Sequence, residues 1–199
     1  MKVLHIDSSI LGEGSASRAL TRGIVARLKS EHPDAEVSYL DLAAEDLPHL
    51  SQSSLARSDE SEAARNARAL EQFLAADVLV IGAPIYNFSI PSQLKAWIDR
   101  IAVAGKTFRY TANGPEGLAG GKEVIVAMAR GGVVGAERHG EFGESYLKFI
   151  FGFLGIKNVR FVHAQGLSIS PQHREESLKA AHAAIASAAR VPAANALAA

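Results

Sequence analysis

Asp77 is followed by an unbroken apolar run, Val78-Leu-Val-Ile-Gly-Ala-Pro84, and this run limits the possible folds more than any other feature of the chain. It is too short for a helix, rich in β-branched residues and free of polar alternation, so it reads as a strand covered on both faces, as in a parallel sheet. Gly82 and Pro84 end the strand, and the loop beyond presents Ile85, Tyr86, Asn87 and Phe88. Ligands of open α/β sheets bind at that C-terminal edge. Pro91 then opens a helix whose Leu94, Trp97, Ile98 and Ile101 follow i, i+3, i+4, i+7 spacing.

Four further β-prone segments flank this strand, at 2–7, 37–42, 123–129 and 159–164. Helical periodicity marks 18–29, 63–74 and 142–154, and Ser170-Pro171 starts a last helix. In the 142–154 helix, Phe142, Tyr146, Phe149, Ile150 and Phe153 gather on one side. Alternating strands and helices imply a parallel sheet with right-handed crossovers and helices on both faces. The expected architecture is a flavodoxin-like three-layer α/β/α sandwich with strand order 2-1-3-4-5, in one domain spanning 1–199 whose alanine-rich end frays from about residue 190. Residues 43–62 form a long polar connection and 105–121 a long loop, a lid or a partner contact.

Charge and cysteine content narrow the function. Twenty-one Lys and Arg balance twenty-one Asp and Glu, which argues against a nucleic-acid surface or an anionic membrane patch. No cysteine is present, so thiol chemistry and thiolate metal sites are excluded. The chain opens directly into a strand and has no membrane-length apolar run, which points to the cytoplasm. Its seven histidines lack metal-ligand spacing, and Ser8-Ser9 has no nucleophile-elbow glycines. His139 lies in a glycine-rich loop near the expected crevice. With no catalytic side chain in evidence, the reactivity is expected from a cofactor.

Three strand-end loops could hold one. After the first strand, Ser9, Ser15 and Ser17, with Ala16 between them, precede a helix whose N-terminal amides and dipole suit a phosphate; Ser17 could equally serve only as a cap. Gly12-Glu-Gly14-Ser-Ala-Ser17 imitates the dinucleotide G-x-G-x-x-G but has serine for the third glycine, and no Gly-Lys-Ser/Thr ending supports a Walker A loop. After the run at 78–84, the rings of Tyr86 and Phe88 and the amide of Asn87 suit a planar heteroaromatic group. After the fourth strand, Ala129-Arg130-Gly131-Gly132 lets backbone amides approach a ligand.

Taken in order, Ser9, Ser15-Ala-Ser17, Ala83-Pro-Ile-Tyr-Asn-Phe88, Gln93-Leu-Lys, Phe108-Arg-Tyr-Thr, Gly114-Pro-Glu-Gly-Leu118 and Arg130-Gly-Gly132 resemble the FMN-dependent NADH:quinone oxidoreductase and azoreductase family over residues 2–170. The resemblance implies non-covalent FMN, with its phosphate on Ser9 and Ser15, Ala16 and Ser17. Its ring would lie along Pro84, Ile85, Tyr86, Asn87 and Phe88, and its pyrimidine end along Ala129, Arg130, Gly131 and Gly132. It implies a homodimer with FMN at the interface, NADH or NADPH as donor, and quinones and azo compounds as acceptors. Phe108, Tyr110, Phe153 and Arg57 are implied at the substrate pocket, with Phe108 in a lid. Ile85 replaces the family's methionine, Ala129 its serine or threonine, and Val134 a histidine found in some relatives. Two other readings follow from the residues: a flavodoxin-type electron carrier, against which the zero net charge counts, and a dehydrogenase with Asp41 on an NAD ribose.

Overall fold

Residues 1–45, 47–56, 59–135 and 142–191 are described in the computed structural model. In chain order the elements are β1 (Lys2–Asp7), α1 (Ala16–Glu31), β2 (Glu36–Asp41), α2 (Gln52–Ala56), α3 (Glu60–Ala75), β3 (Val78–Pro84) and α4 (Ser92–Ile101). There follow β4 (Phe108–Thr111), β5 (Gly114–Gly117), β6 (Glu123–Ala129), α5 (Gly143–Phe153), β7 (Asn158–Ala164) and α6 (Pro171–Ala188). Five strands pair in parallel in the order β2-β1-β3-β6-β7, the expected 2-1-3-4-5 order of the core strands.

Both faces of the sheet are covered. On one, Leu4, Ile6, Leu79, Ile81, Val124 and Val126 pack beneath α3, α4 and α5. On the other, Val3, Val78, Val80, Ile125 and Val162 pack beneath α1 and α6. Every residue of β3 and β6 is buried, which is what a run without polar alternation requires.

Two local expectations need correction, the cap of α1 and the loop at 105–121. Ser15, not Ser17, caps α1: its Oγ accepts from Arg18 N at 3.3 Å. The connection 43–62 contains the short helix α2. Residues 105–121 are not one long loop, because β4 and β5 pair antiparallel as a hairpin that turns just before Gly114, where φ is 110°. The hairpin seats against the end of α5 by glycine on glycine; a methyl on Gly117 would overlap the Leu154–Gly155 backbone. The aromatic side of α5 is not its buried side. Leu147 and Phe151 face the core, while Phe142 and Phe149 are exposed and Tyr146, Ile150 and Phe153 are half-buried.

Candidate functional site

β1 and β3 are neighbours, so the loops leaving their C-terminal ends run side by side. Ser8 Oγ donates to Gly82 O at 2.6 Å, joining the two at their base. Gly82 is required there, since a Cβ would stand 2.6 Å from Asp7 Oδ1. Beyond Ser9 a single 3₁₀ turn, Gly12–Gly14, leads into Ser15. The hydroxyls of Ser15 and Ser17 lie 3.1 Å apart, and both residues are buried. In this first turn of α1, the Ala16 and Ser17 amides have no intrahelical carbonyl to donate to.

A buried polar network holds this loop from below. Arg18 Nε and Nη2 both donate to the Ser9 carbonyl, at 3.3 and 2.8 Å. The same guanidinium grips Asp41 with both Nη atoms, at 2.8 and 2.6 Å, and Nη1 also reaches the Tyr39 hydroxyl at 2.9 Å. Tyr39 OH donates to Asp7 Oδ2 at 3.2 Å, and Thr21 donates to Asp7 Oδ1 at 2.9 Å. Burial pushes the Asp7 carboxyl up, but His5, 3.4 Å away, together with Thr21 and Arg18, outweighs it and leaves the pKa lowered. The Arg18 hydrogen bonds lower Asp41 and raise Arg18 in turn. Burial and the nearby Asp7 raise Tyr39. Asp41, the residue expected on an NAD ribose in the dehydrogenase reading, is committed to Arg18.

The β3 loop closes over this floor. Tyr86 OH lies 3.1 Å from Ser9 Oγ and accepts from Ile10 N at 3.3 Å, bridging the two loops. Tyr86 and Ser89 exchange backbone hydrogen bonds across Asn87 and Phe88, whose φ angles are 49° and 69°. Two positive φ values at the centre of so tight a turn mark type I′, which normally takes glycine where Phe88 stands. Along β6, the carbonyls of Gly131 and Gly132 accept from Ser168 and Gly166, and among the described residues neither glycine's amide makes a hydrogen bond.

These loops enclose a crevice of about 270 Å³ lined by Ser9, Ser15, Ala16, Pro84, Ile85, Tyr86, Ala129, Arg130 and Gly131. It continues past Ile85 and Tyr86 into an open groove of about 640 Å³ that takes in Asn87. The buried Ser17 and the exposed Gly132 do not line the crevice itself, and Phe88 projects into solvent, 69% exposed. A polar end with free helix amides, a narrow slot and a flat apolar wall fit a flavin mononucleotide in size order and chemistry. A separate cavity of about 50 Å³ beneath Trp97 is far too small for one.

Phe108, Tyr110 and Phe153, also expected at the pocket, do not line this crevice within the chain. Phe108 does not serve as a lid, because its ring is buried with its centroid 4.7 Å from that of Phe153. Tyr110 stands on the hairpin, edge-on to Phe108 and 76% exposed. Arg57 and His139 lie outside the described residues. Conversely, Leu11, Gly14, Leu167, Ser168 and Arg174 line the crevice without having been expected. The loop after β7 ends at the same sheet edge, so the strand-end rule that singled out three loops applies to it as well.

Comparison with known proteins agrees with this geometry. A family model described as a flavodoxin-like fold matches residues 1–189. The FMN-dependent NADH:quinone oxidoreductase 1 of Xanthomonas euvesicatoria is 55% identical over 185 residues, covering 93% of this chain and 95% of that protein. The crystal structure of an azoreductase from Bacillus anthracis superposes with a TM-score of 0.85 at 34% identity, covering 95% of this chain and 98% of the other. That of an FMN-dependent NADH-azoreductase from the same species, in complex with FMN, gives a TM-score of 0.86 at 28% identity over 94% and 97% of the two chains.

Proposed function

The chain belongs to the flavodoxin-like family of FMN-dependent NADH:quinone oxidoreductases and azoreductases, and from that premise we propose that its crevice binds FMN and that the protein reduces quinones and azo compounds with NADH. The observation that carries this reading is the Tyr86–Ser9 bridge, which brings a phosphate-type polar end and a flat aromatic wall into one slot. When bound, FMN supplies the redox chemistry, taking a hydride from the donor and passing two electrons to the acceptor.

The chain itself supplies binding and position. Ser9, Ser15 and Ser17, with the first amides of α1, hold the phosphate. Pro84, Ile85 and Tyr86 would bear on the ring plane, Asn87 would offer its amide to the ring edge, and the unused amides of Gly131 and Gly132 would favour negative charge at the pyrimidine end. Ala129 contributes backbone alone and Arg130 flanks the slot. NADH or NADPH enters, leaves, and is replaced by the acceptor at the same open face, which gives ping-pong kinetics. A quinone takes two electrons and two protons to the hydroquinone. An azo bond takes four electrons and four protons to two amines, and so consumes two donor molecules. A nicotinamide donor supports a cytoplasmic setting for the reaction.

The exposed apolar flank supports a homodimer. It runs from Ile10 and Phe88 to Phe142 at the head of α5, where a methyl on Gly143 would meet Ile85 Cδ1 at 2.7 Å. Phe149 continues it on the same helix face, and Phe153 and Phe108 lead on to Tyr110. A monomer would leave Phe88, Phe142, Phe149 and Tyr110 in water; a second copy would cover them and complete the pocket, bringing Phe153 and Tyr110 to the partner's ring.

The test is anaerobic mixing of the FMN-loaded protein with NADH, followed by benzoquinone. Flavin bleaching and then recovery of the 450 nm band, on the order of seconds, is the expected result. An FMN complex that NADH leaves oxidised would return the chain to the electron-carrier reading, and a protein that takes up no FMN would overturn the assignment of the crevice.

A further inference from the structure

The serine end of the crevice contains a cation that the family resemblance does not assign. Arg174, in the first turn of α6, lines the crevice together with Ser9, Gly14 and Ser15. Its side chain makes one long contact, 3.4 Å from Nη2 to Gly14 O, and no carboxylate among the described residues pairs with it. The other arginines around the first loop are neutralised: Arg18 is buried on Asp41, and Arg22 pairs with Glu13 at 3.3 Å. Arg130 also lines the crevice, on the loop after β6 with Ala129 and Gly131; Arg174 is the arginine whose guanidinium stands at the serine loop, against Gly14 O.

Its position is fixed by its own helix. Ser170 caps α6 through His173 N, Gln165 N donates to Ser177 Oγ at 2.9 Å, and Gly166, with φ of 70°, lies flush against the His173 ring. The guanidinium is thus carried on a pinned turn of helix yet held to the loop by a single weak bond, so swinging from the Gly14 carbonyl to an anion costs little. The geometry points to Arg174 as a phosphate-binding residue. It engages the terminal phosphate of the flavin mononucleotide from the α6 side, opposite the serines, and so makes the site selective for a phosphorylated flavin over riboflavin. This rests on the FMN reading of the crevice.

Fluorescence titration of the apoprotein with FMN and with riboflavin, at low and high sodium chloride, separates the possibilities. R174Q should weaken FMN roughly tenfold or more, as expected for loss of a charge-assisted contact to a phosphate. Riboflavin affinity should stay at the wild-type value and the salt dependence of FMN binding should become shallower, while R174K should recover part of the loss. Equal weakening of both flavins would make Arg174 a strap for the Gly14 turn, and no change in FMN affinity would remove it from the site; either result overturns the inference while leaving the FMN reading intact. A wild-type protein that binds FMN no more tightly than riboflavin would instead undo the placement of the phosphate on which the inference rests. Unchanged circular dichroism and thermal midpoint are expected for both variants, because Arg174 is only half-buried.

Discussion

At its serine end the crevice rests on side chains that are buried and paired within one chain, whereas at its aromatic end rings stand in water. Ser9, Ser15, Ser17, Asp7, Thr21 and Arg18 are all buried, and each has a named partner. Phe88, Tyr110, Phe142 and Phe149 are exposed. A phosphate is small, charged and alike in every flavin nucleotide, so a rigid, fully satisfied floor recognises it best. A redox ring must meet two different substrates in turn, and the surface beside it is open in the single chain. The two ends should therefore respond to mutation in opposite ways.

The largest effect belongs at the serine end. R18A takes the guanidinium from the half-buried Asp41 and leaves the buried Ser9 carbonyl without its donor, and should cost about 1 to 3 kcal/mol of folding stability in urea titrations, because a stranded acceptor retains its desolvation cost. A loss below about 0.5 kcal/mol, the range of an ordinary surface substitution, would show that the floor is not built around this arginine. At the aromatic end, F149S should leave circular dichroism unchanged and weaken self-association roughly tenfold or more by sedimentation, as expected for an interface phenylalanine. If F149S unfolds the subunit instead, the contrast between the two ends is lost.

Phe88 sharpens the comparison because stability and function should move apart. Its φ of 69° is costly for any residue with a Cβ, and the ring gains nothing from packing in the single chain. F88G relieves the strain but adds backbone freedom to the unfolded chain, so a net gain of about 0.5 kcal/mol is expected. Flavin affinity should fall at the same time. Lower stability together with unchanged flavin binding would mean that the ring serves the fold.

How much of this was legible in the sequence follows the same division. The apolar run at 78–84 could only be a two-sided strand, and alternation with helices fixed the sheet order, because both signals depend on burial within one chain. Which side of α5 is buried was not legible, for the converse reason. Phe142 and Phe149, one heptad apart, mark an apolar side as plainly as a core would, while the buried side is opened by Gly143 and Glu144. Periodicity reports apolar surface, not what covers it. The hairpin escaped because Gly114-Pro-Glu-Gly117 has no alternation, and its seat is a glycine contact with Gly155 that sequence spacing cannot show. The Arg18–Asp41 clamp joins residues 23 apart only because β2 lies beside β1, so it became visible only with the pairing.

The smallest effect is the dependence of the serine end on acid. Asp41 is held below its usual value first by its hydrogen bonds from Arg18, with help from the Ala43 and Ala44 amides. Asp7 is lowered as well, despite its burial. A carboxylate with a depressed folded-state pKa binds its proton more readily unfolded, so its contribution is fully present above the unfolded value and is lost as pH falls through the folded one. The stability supplied by the clamp should therefore be flat near neutrality and drain away below about pH 4. D41N cannot make this exchange. It should start less stable than the wild type at neutral pH, and urea midpoints measured from about pH 6 to pH 2 should bring the two curves together at the acid end. Parallel curves would mean that Asp41 shapes the loop without its charge, and that the Arg18 guanidinium holds Ser9 whether or not it is paired.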